Sequence, residues 1–523
     1  MTQPHQAPRN SRAYSWGDEQ TSMTRGFARQ FPPLKVLTEE QVEEIHRGTL
    51  QVLWSTGVYI EHERALKLME KNGCKVDYDN MRVRIPPALV EECIRQAPSC
   101  FPAPARDPRQ TLMIGGNNLC LAVAPGHKTV DPETWEPREA TRKENYDAVR
   151  ILDALPTVHF FSPYTPYFGF QGAPSCMAML ESLAARIRNS TKFQCVGFSN
   201  DSEIFAIEMA QAVGIEILGT CAWAPPLALY RDAVESTFRF AEAGFCLRVV
   251  TGQIMGGTAP ASIAGAIVTN NAEVLSGLVL AQLIRPGMRV LAKDFTAPMN
   301  MNTGAPAFGG IEIALHNAAC NQVFQRYGVP LDNTTAYPNS KIPDYQSASE
   351  KAFRIFTAGL SGGNTLLFHG SVHGELTHHP LQAILDDDMA GMVGRFMQGV
   401  AVNEETLALD LIERVGPVPG HFLNAAHTRK WWKLEQFLPQ SADRLTYPEW
   451  LHGGKQSCLD IARQRMDAIL ASHQPEPLTP SQEEAVERVL EKARAHYQKQ
   501  GLITDDEMRQ YRESMKSPNY PYE

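Results

Sequence analysis

Residues 247–293 read LRVVTGQIMGGTAPASIAGAIVTNNAEVLSGLVLAQLIRPGMRVLAK and contain one complete structural repeat. A short β-rich run at 247–252 precedes a long apolar segment at 261–283, and a second β-rich run follows at 289–293. Strands that alternate with helices in this way are typical of βα units, which build parallel sheets. The stretch therefore predicts an α/β fold.

The same alternation extends to both sides of this stretch. Strands are predicted at 119–124, 158–162, 193–196, 215–218, 247–252, 289–293, 331–335 and 365–369. Helices are predicted between them at 176–188, 202–212, 232–243, 261–283, 311–327 and 347–360. Because eight strands are present and no GxGxxG follows a strand, we expect a closed (β/α)8 barrel, the TIM barrel, rather than a doubly wound sheet. An open α/β sheet remains the alternative, since periodicity alone does not distinguish the two.

The chain divides into four predicted regions. Residues 1–35 lack apolar periodicity and are expected to form an extended arm. Residues 36–110 form an N-terminal helical region packed on the barrel, beginning at a capping box of Thr38 and Gln41. The barrel core occupies 111–400, and 401–523 form a C-terminal helical cap and tail, as a helical extension.

Composition restricts the partners and the location of the protein. The net charge of -9 argues against nucleic-acid binding, which requires a concentrated basic surface. The N-terminus lacks the apolar stretch of a secretory signal, and the apolar segment 259–284 contains Glu273, so we predict no membrane association. Ten cysteines without a CxxC pair indicate reduced thiols and a cytoplasmic protein.

Active sites of (β/α)8 barrels form at the carboxyl ends of the strands, so the residues after each predicted strand are the candidates. The loop 162–171, SPYTPYFGFQ, carries Tyr164, Tyr167 and Phe168. Aromatic faces attract a quaternary ammonium, so these rings are predicted to surround one. The alternative is that they cover the barrel mouth hydrophobically.

Polar candidates come from the other strand ends. Gln194, Gln253 and His369 are predicted to orient the polar end of a substrate, with His369 as the catalytic residue, and Met255 to line the site. The same rule selects Phe170, Cys195, Asp294, Phe295, Tyr337 and Asn339. Asp344 is a candidate charge partner for the substrate, or alternatively a helix N-terminal acid stabilised by the helix dipole.

The segment 368–380, FHGSVHGELTHHP, contains four histidines and Glu375. Zinc sites use such ligands, and a metal-dependent barrel hydrolase is therefore an alternative function. No HExxH pattern or suitably spaced cysteine accompanies them, so no metal is predicted.

Six blocks of the sequence resemble the MttB-like family of trimethylamine methyltransferases, in the same order along roughly 37–470. These blocks are STGVYIEHERALKLMEKNGCKVD, VRIPPALVEECIRQAPSCF, GQIMGGTAPASIAGAIVTNNAEVLSGLVLAQLIRPGMRV, MNTGAPAFGGIEIALHNAACNQVFQRYGVPL, SKIPDYQSASEKA and VGPVPGHFLNAAHT. The resemblance implies a (β/α)8 barrel that transfers a methyl group from a methylated amine to Co(I) of a cognate corrinoid protein.

Trimethylamine-using members of that family carry pyrrolysine in a segment similar to GSVHGELTHHPLQAILDDD, where this chain has only standard residues. The resemblance is therefore to the non-pyrrolysine branch, and it implies a quaternary amine, with glycine betaine as the narrow prediction. Carnitine, proline betaine and trimethylamine remain alternatives. Cobalamin is expected on the partner corrinoid protein, because no DxHxxG motif is present. A homo-oligomer is expected, and a non-catalytic quaternary-amine binding protein is the remaining alternative.

Overall fold

The computed structural model describes residues 25–521. Eight parallel strands form its centre: β1 (Asn118–Val123), β2 (Phe160–Phe161), β3 (Phe193–Cys195), β4 (Ile217–Ala222), β5 (Leu247–Val250), β6 (Val290–Lys293), β7 (Leu331–Asn333) and β8 (Thr365–His369). Each strand pairs with the next, and β8 pairs with β1, with Leu366 opposite Leu121. The ring is closed, which confirms the predicted barrel and excludes the open sheet.

One helix follows each strand: α1 (Arg142–Ala154), α2 (Ala178–Asn189), α3 (Ser202–Val213), α4 (Arg231–Ala243), α5 (Ile263–Ile284), α6 (Ile311–Tyr327), α7 (Tyr345–Ser361) and α8 (Pro380–Met397). Every predicted strand and helix overlaps an observed one. Helix α1 was not predicted, although its capping box of Thr141 and Glu144 is visible in the sequence.

Two antiparallel strands, Cys100–Ala103 and Leu112–Gly115, form a hairpin at the amino end of the barrel, which we call the amino-end hairpin. Its Phe101 and Ile114 are buried in the same apolar cluster as interior barrel residues such as Phe160 and Leu291. The amino-end hairpin therefore closes this end, and the carboxyl end, called the mouth below, is left for a site.

Around the barrel lie several shorter elements. They are helices Glu39–Gln51, Glu63–Lys71 and Pro87–Gln96, π-helical Val52–Thr56, 3-10 turns Pro108–Gln110 and Ser175–Met177, and strands Phe27–Ala28, Val58–Ile60, Lys75–Asp77, Arg82–Arg84, Thr129–Val130, Pro137–Arg138, Ala228–Leu229, Ile254–Met255, Ala297–Pro298, Ser371–Val372 and Thr377–His378. The predicted capping box of Thr38 and Gln41 is present at the first helix. Of the arm predicted for 1–35, residues 1–24 lie outside the described residues, and Phe27–Ala28 pairs antiparallel with β1.

Helix α5 is apolar on all sides because it packs on the barrel with one face and on N-terminal helices Glu39–Gln51 and Pro87–Gln96 with the other. Among the described residues it is the one helix that is long and apolar enough to cross a membrane. Most of it is buried inside the protein, as a core helix requires.

The C-terminal region contains helices Glu404–Leu407, Leu409–Val415, Ala426–Glu435, Tyr447–His452, Cys458–Ser472, Pro480–Lys499 and Asp505–Ser514. The last two of these helices are tied to the barrel through Glu181 of α2, which is fully buried. Its carboxylate lies 3.0 Å from Arg142 and 3.3 Å from Arg494, and it accepts a hydrogen bond from the Tyr511 hydroxyl. The division into regions at 36, 111 and 401 stays a prediction.

Candidate active site

Three charged side chains lie inside the barrel: Arg248 of β5, Lys293 of β6 and Asp332 of β7, which we call the charged triad. Their neighbours Leu247, Val249, Ala292 and Leu331 belong to the apolar layer between strands and helices, so the alternation of a strand turns the triad inward. Asp332 Oδ2 lies 3.4 Å from Arg248 Nη1 and 3.0 Å from Lys293 Nζ. Two cations thus share one carboxylate.

The triad is almost completely buried, with side chains exposed by 5%, 4% and 0% for Arg248, Lys293 and Asp332. Burial lowers the pKa of Lys293 to about 8, against the opposing effect of the Asp332 carboxylate. At neutral pH most of the Lys293 ammonium is still charged. The charged triad taken by itself therefore has two cations for one carboxylate.

A stack of three rings, Tyr164, Phe168 and His127, stands on one side of the mouth. The Tyr164 and Phe168 ring centroids are 4.1 Å apart, and those of Phe168 and His127 are 4.4 Å apart. Burial raises the pKa of Tyr164 to about 12, while the Arg248 guanidinium acts in the opposite direction, so the phenol lies within the field of the charged triad. We refer to these rings as the aromatic stack.

A glycine makes the position of Tyr164 possible. A Cβ atom on Gly197, just after β3, would lie 2.2 Å from the Tyr164 hydroxyl oxygen. Any larger residue at position 197 would push the ring away, so the glycine allows close approach of the phenol to the end of β3.

A second aromatic group consists of Tyr337, Phe295 and Phe308, which follow β7 and β6. Tyr337 meets Phe308 edge-on at 5.2 Å and Phe295 at 6.1 Å. Lys293 Nζ lies 5.9 Å from the Phe295 ring centre, which joins this group to the charged triad. Burial raises the pKa of Tyr337 well above its usual value, helped by Glu375 and opposed by Arg248. Both phenols are therefore protonated donors near the same guanidinium.

Of the predicted aromatic residues, the structure brings Tyr164 and Phe168 together and places Tyr167 elsewhere. The Tyr167 hydroxyl donates to Thr129 Oγ1 at 3.2 Å, and its ring is buried with Phe170. Tyr167 therefore packs behind the loop that carries the aromatic stack and lines no part of it.

The three predicted polar residues face the helices. Gln194 lies between the inward-facing Phe193 and Cys195 and donates to the Lys192 carbonyl at 2.8 Å. Gln253 Oε1 accepts from Thr269 of α5 at 2.9 Å. His369 Nε2 lies 2.8 Å from Thr157 Oγ1. The sequence located the strand ends but did not show which side of the strand each residue faces.

Met255 and Asp344 complete the predicted set. Met255 is buried in the short strand Ile254–Met255, which pairs with Ala297–Pro298 above β6. Asp344 caps α7, where its carboxylate accepts from the Ser347 amide at 2.8 Å and from Ser340 Oγ at 2.7 Å. The contacts of Asp344 are therefore those of a helix N-cap.

The histidines of 368–380 each have a separate environment. His378 Nδ1 lies 2.9 Å from the Ala124 carbonyl oxygen, and His379 accepts from the Leu381 amide as the N-cap of α8. Within residues 25–521, the group with donor atoms close enough to share a metal ion is Asp294, His316 and Cys320, within 4.8 Å of one another. Burial and the Asp294 carboxylate raise the pKa of the Cys320 thiol well above its usual value.

Sequence reasoning missed the charged triad and Phe308, and found Phe295 and Tyr337 only among the wider set of strand-end residues. The signal for the triad was present in the core strands. Charged residues within LRVV, VLAK and LDN would be costly unless paired or used by a ligand.

The chain is similar to known proteins along most of its length. A family model described as trimethylamine methyltransferase (MTTB) matches residues 5–497. The chain is 29% identical over 472 residues to trimethylamine methyltransferase MttB of Desulfitobacterium hafniense DCB-2, covering 88% of this chain and 94% of that protein. It is 30% identical over 463 residues to glycine betaine methyltransferase of strain Y51, covering 86% and 95%. A crystal structure of Methanosarcina barkeri monomethylamine methyltransferase matches with a TM-score of 0.44 at 12% identity, over 89% of this chain and 93% of that one.

Proposed function

The chain belongs to the trimethylamine methyltransferase (MTTB) family and is a methyltransferase of that type, and we propose that it transfers a methyl group from a quaternary amine to Co(I) of a corrinoid protein. One observation supports a quaternary amine as the substrate. The aromatic stack and the Tyr337 group both border the mouth of a barrel whose other end is closed. Ring faces attract a cation that has no N–H to donate.

The reaction depends on the positioning of the methyl group more than on acid catalysis. When a quaternary C–N bond breaks, its electron pair stays on nitrogen and a neutral tertiary amine leaves, so no proton has to be supplied. A corrinoid in the Co(I) state, when bound to its partner protein, would supply the electron pair for the new bond to the methyl carbon. The barrel must hold the methyl group in line with its nitrogen and exclude water, and rings packed at 4–6 Å centroid distances provide such a wall.

The open mouth suits a cobalt that arrives on a separate protein. Phe168 is 36% exposed and stacks with His127, which is also exposed, so the outer end of the aromatic stack is accessible from solvent. We therefore place cobalamin on a partner corrinoid protein rather than on this chain. A cytoplasmic location and a homo-oligomeric state are part of the same proposal.

Glycine betaine is the proposed substrate within this class. A relative that is 30% identical is named glycine betaine methyltransferase, while a similar identity links the chain to trimethylamine methyltransferases. The standard residues at 370–388 favour the quaternary amine over trimethylamine. Carnitine and proline betaine carry the same trimethyl- or dimethylammonium and carboxylate groups and are the next candidates.

The test mixes the protein with a reduced Co(I) corrinoid protein and a panel of methylated amines, and follows methylation of cobalt by its absorption spectrum. We expect turnover with quaternary amines, glycine betaine foremost, and little with trimethylamine. Binding of a quaternary amine without any methylation would instead indicate a non-catalytic binding protein. Turnover confined to trimethylamine would overturn the proposed substrate class.

A further inference from the structure

The charged triad contains two cations and one anion, and the nearest other carboxylate, Asp294, is hydrogen-bonded elsewhere. Arg248 and Lys293 are cationic and Asp332 is their shared anion. Asp294 follows Lys293, but its carboxylate points to α6, where it lies 3.0 Å from His316 and accepts from Asn317 at 2.7 Å. Within the triad the one shared carboxylate thus balances only one of the two cations, although Asp294 also acts on Lys293 from a distance.

Hydrogen bonding in the triad is also incomplete. Within the described residues, Arg248 Nε and Asp332 Oδ1 are buried without a hydrogen-bond partner. The contact of Arg248 Nη1 with Asp332, at 3.4 Å, is long for a charge-assisted hydrogen bond. Buried guanidinium groups normally have their donors satisfied, so this one has capacity for an anionic ligand.

A carboxylate lies at the rim of the mouth. Glu375, in the loop after β8, interacts electrostatically with Tyr337 and with His127 of the aromatic stack. The site therefore runs from a positive interior, past two groups of rings, to a carboxylate at the rim. A zwitterion with its carboxylate inside and its ammonium outside matches this polarity.

We propose that Arg248, assisted by Lys293, binds the carboxylate of the quaternary amine, so that the substrate is a betaine held with its N-methyl groups towards the mouth. This inference rests on the proposed function and replaces Gln253 and His369, which face the helices, as the carboxylate donors. The hydroxyls of Tyr164 and Tyr337, both in the field of Arg248, make long hydrogen bonds of 3.5 and 3.4 Å to the carbonyl oxygens of Phe198 and Pro125, and a carboxylate inside the barrel would be a stronger acceptor for both.

The orientation has a direct consequence for selectivity. A cation without a carboxylate, such as choline or tetramethylammonium, gains the ring contacts but meets the uncompensated positive charge. A betaine gains the ring contacts at its ammonium end and pairing with Arg248 at its carboxylate end. The charged triad thus selects betaines over simple quaternary amines, and the aromatic groups alone would not do so.

The test measures binding without the corrinoid protein, by isothermal titration calorimetry with glycine betaine, choline and tetramethylammonium. Wild type should bind glycine betaine about 10- to 100-fold more tightly than choline, the range expected for a charge-assisted pair. Arg248→Gln should lose this preference and bind tetramethylammonium at least as tightly as wild type, because a repelling charge is removed. A merely structural role would weaken all three ligands together.

Two further variants keep the test decisive. Lys293→Met removes the second cation and should likewise reduce the preference for glycine betaine over choline, and it decides the matter if Arg248→Gln fails to fold. Arg64→Gln removes an exposed cation that pairs with Glu242 on the outer side of α4, and it should leave all affinities unchanged. Circular dichroism and Tm establish that each variant is folded.

The outcomes separate this inference from the proposed function. If wild type methylates the corrinoid from glycine betaine but Arg248→Gln and Lys293→Met keep the wild-type ratio of betaine to choline affinity, the carboxylate site is wrong and the function stands. If wild type binds none of the three ligands and methylates no corrinoid, the proposed function and this inference both fall.

Discussion

The hydroxyl of Thr157 lies 2.8 Å from Nε2 of His369, and this contact holds the imidazole on the outer side of the barrel wall. Thr157 donates its own proton to Asp387 Oδ1 at 2.7 Å, so its oxygen accepts from His369 and the imidazole carries its proton on Nε2. Burial lowers the pKa of His369 well below its usual value, which keeps the ring neutral. His369 is therefore part of the packing between β8 and α8.

His369→Ala is expected to reduce stability rather than affinity. The change opens a cavity and leaves the Thr157 oxygen without its donor, which together cost about 2–4 kcal/mol. Urea unfolding measures the loss, and calorimetric titration with glycine betaine at low temperature measures affinity in the folded protein. Loss of betaine binding without loss of stability would contradict the outward position of the ring.

Phe168→Leu is expected to weaken binding of every quaternary amine, because Phe168 is stacked between Tyr164 and His127 and fixes the position of the Tyr164 ring that contacts the cation. A cation–ring contact contributes about 0.5–2 kcal/mol, so the Kd should rise about 2- to 30-fold. Tyr167→Phe is the matched control, since Tyr167 packs behind the loop and its hydroxyl donates to Thr129. Equal effects of the two substitutions would rule out a selective role of the stack.

Binding of glycine betaine is expected to weaken above pH 8. Burial lowers the pKa of Lys293 to about 8, with Asp332 and Asp294 acting against Arg248 on the same group. Below that pH Lys293 is protonated and the triad is net positive, and above it the excess charge disappears. The charges of glycine betaine do not change between pH 7 and 9.5, so a change in affinity over this range must come from a group of the protein. Titration calorimetry over this range should show a rising Kd in wild type and a flat profile in Lys293→Met, whereas a flat wild-type profile would exclude Lys293.

Asp344→Ala is expected to reduce the free energy of unfolding by about 1 kcal/mol through loss of the N-cap of α7. Asp344→Asn should retain most of the stability, since an amide oxygen also accepts from the Ser347 amide. Thermal unfolding compares the three proteins, and betaine affinity should be the same in all of them. A charge partner of the substrate would show the reverse pattern, with affinity lost in both variants.

The alternation of strands and helices made the barrel predictable, and two elements, β8 and α6, begin and end at the predicted residues. Helix α1 was not predicted because its apolar residues are interrupted by charged ones, although Thr141 and Glu144 mark its start. Periodicity located the strand ends, but a shift of one residue in a strand reverses the side that a residue faces. Gln194 and His369 were misplaced for that reason, and Arg248 was missed because it lies within a strand rather than after it.

The amino-end hairpin leaves the barrel with a single entrance. On the proposed function the amine and the protein-bound cobalt must then use the same opening, and a docked partner would block exchange of small molecules. Loading must precede docking, and the demethylated product must wait until the partner departs. Steady-state kinetics of such an enzyme should be ordered, with free corrinoid protein at high concentration slowing turnover by trapping the empty barrel.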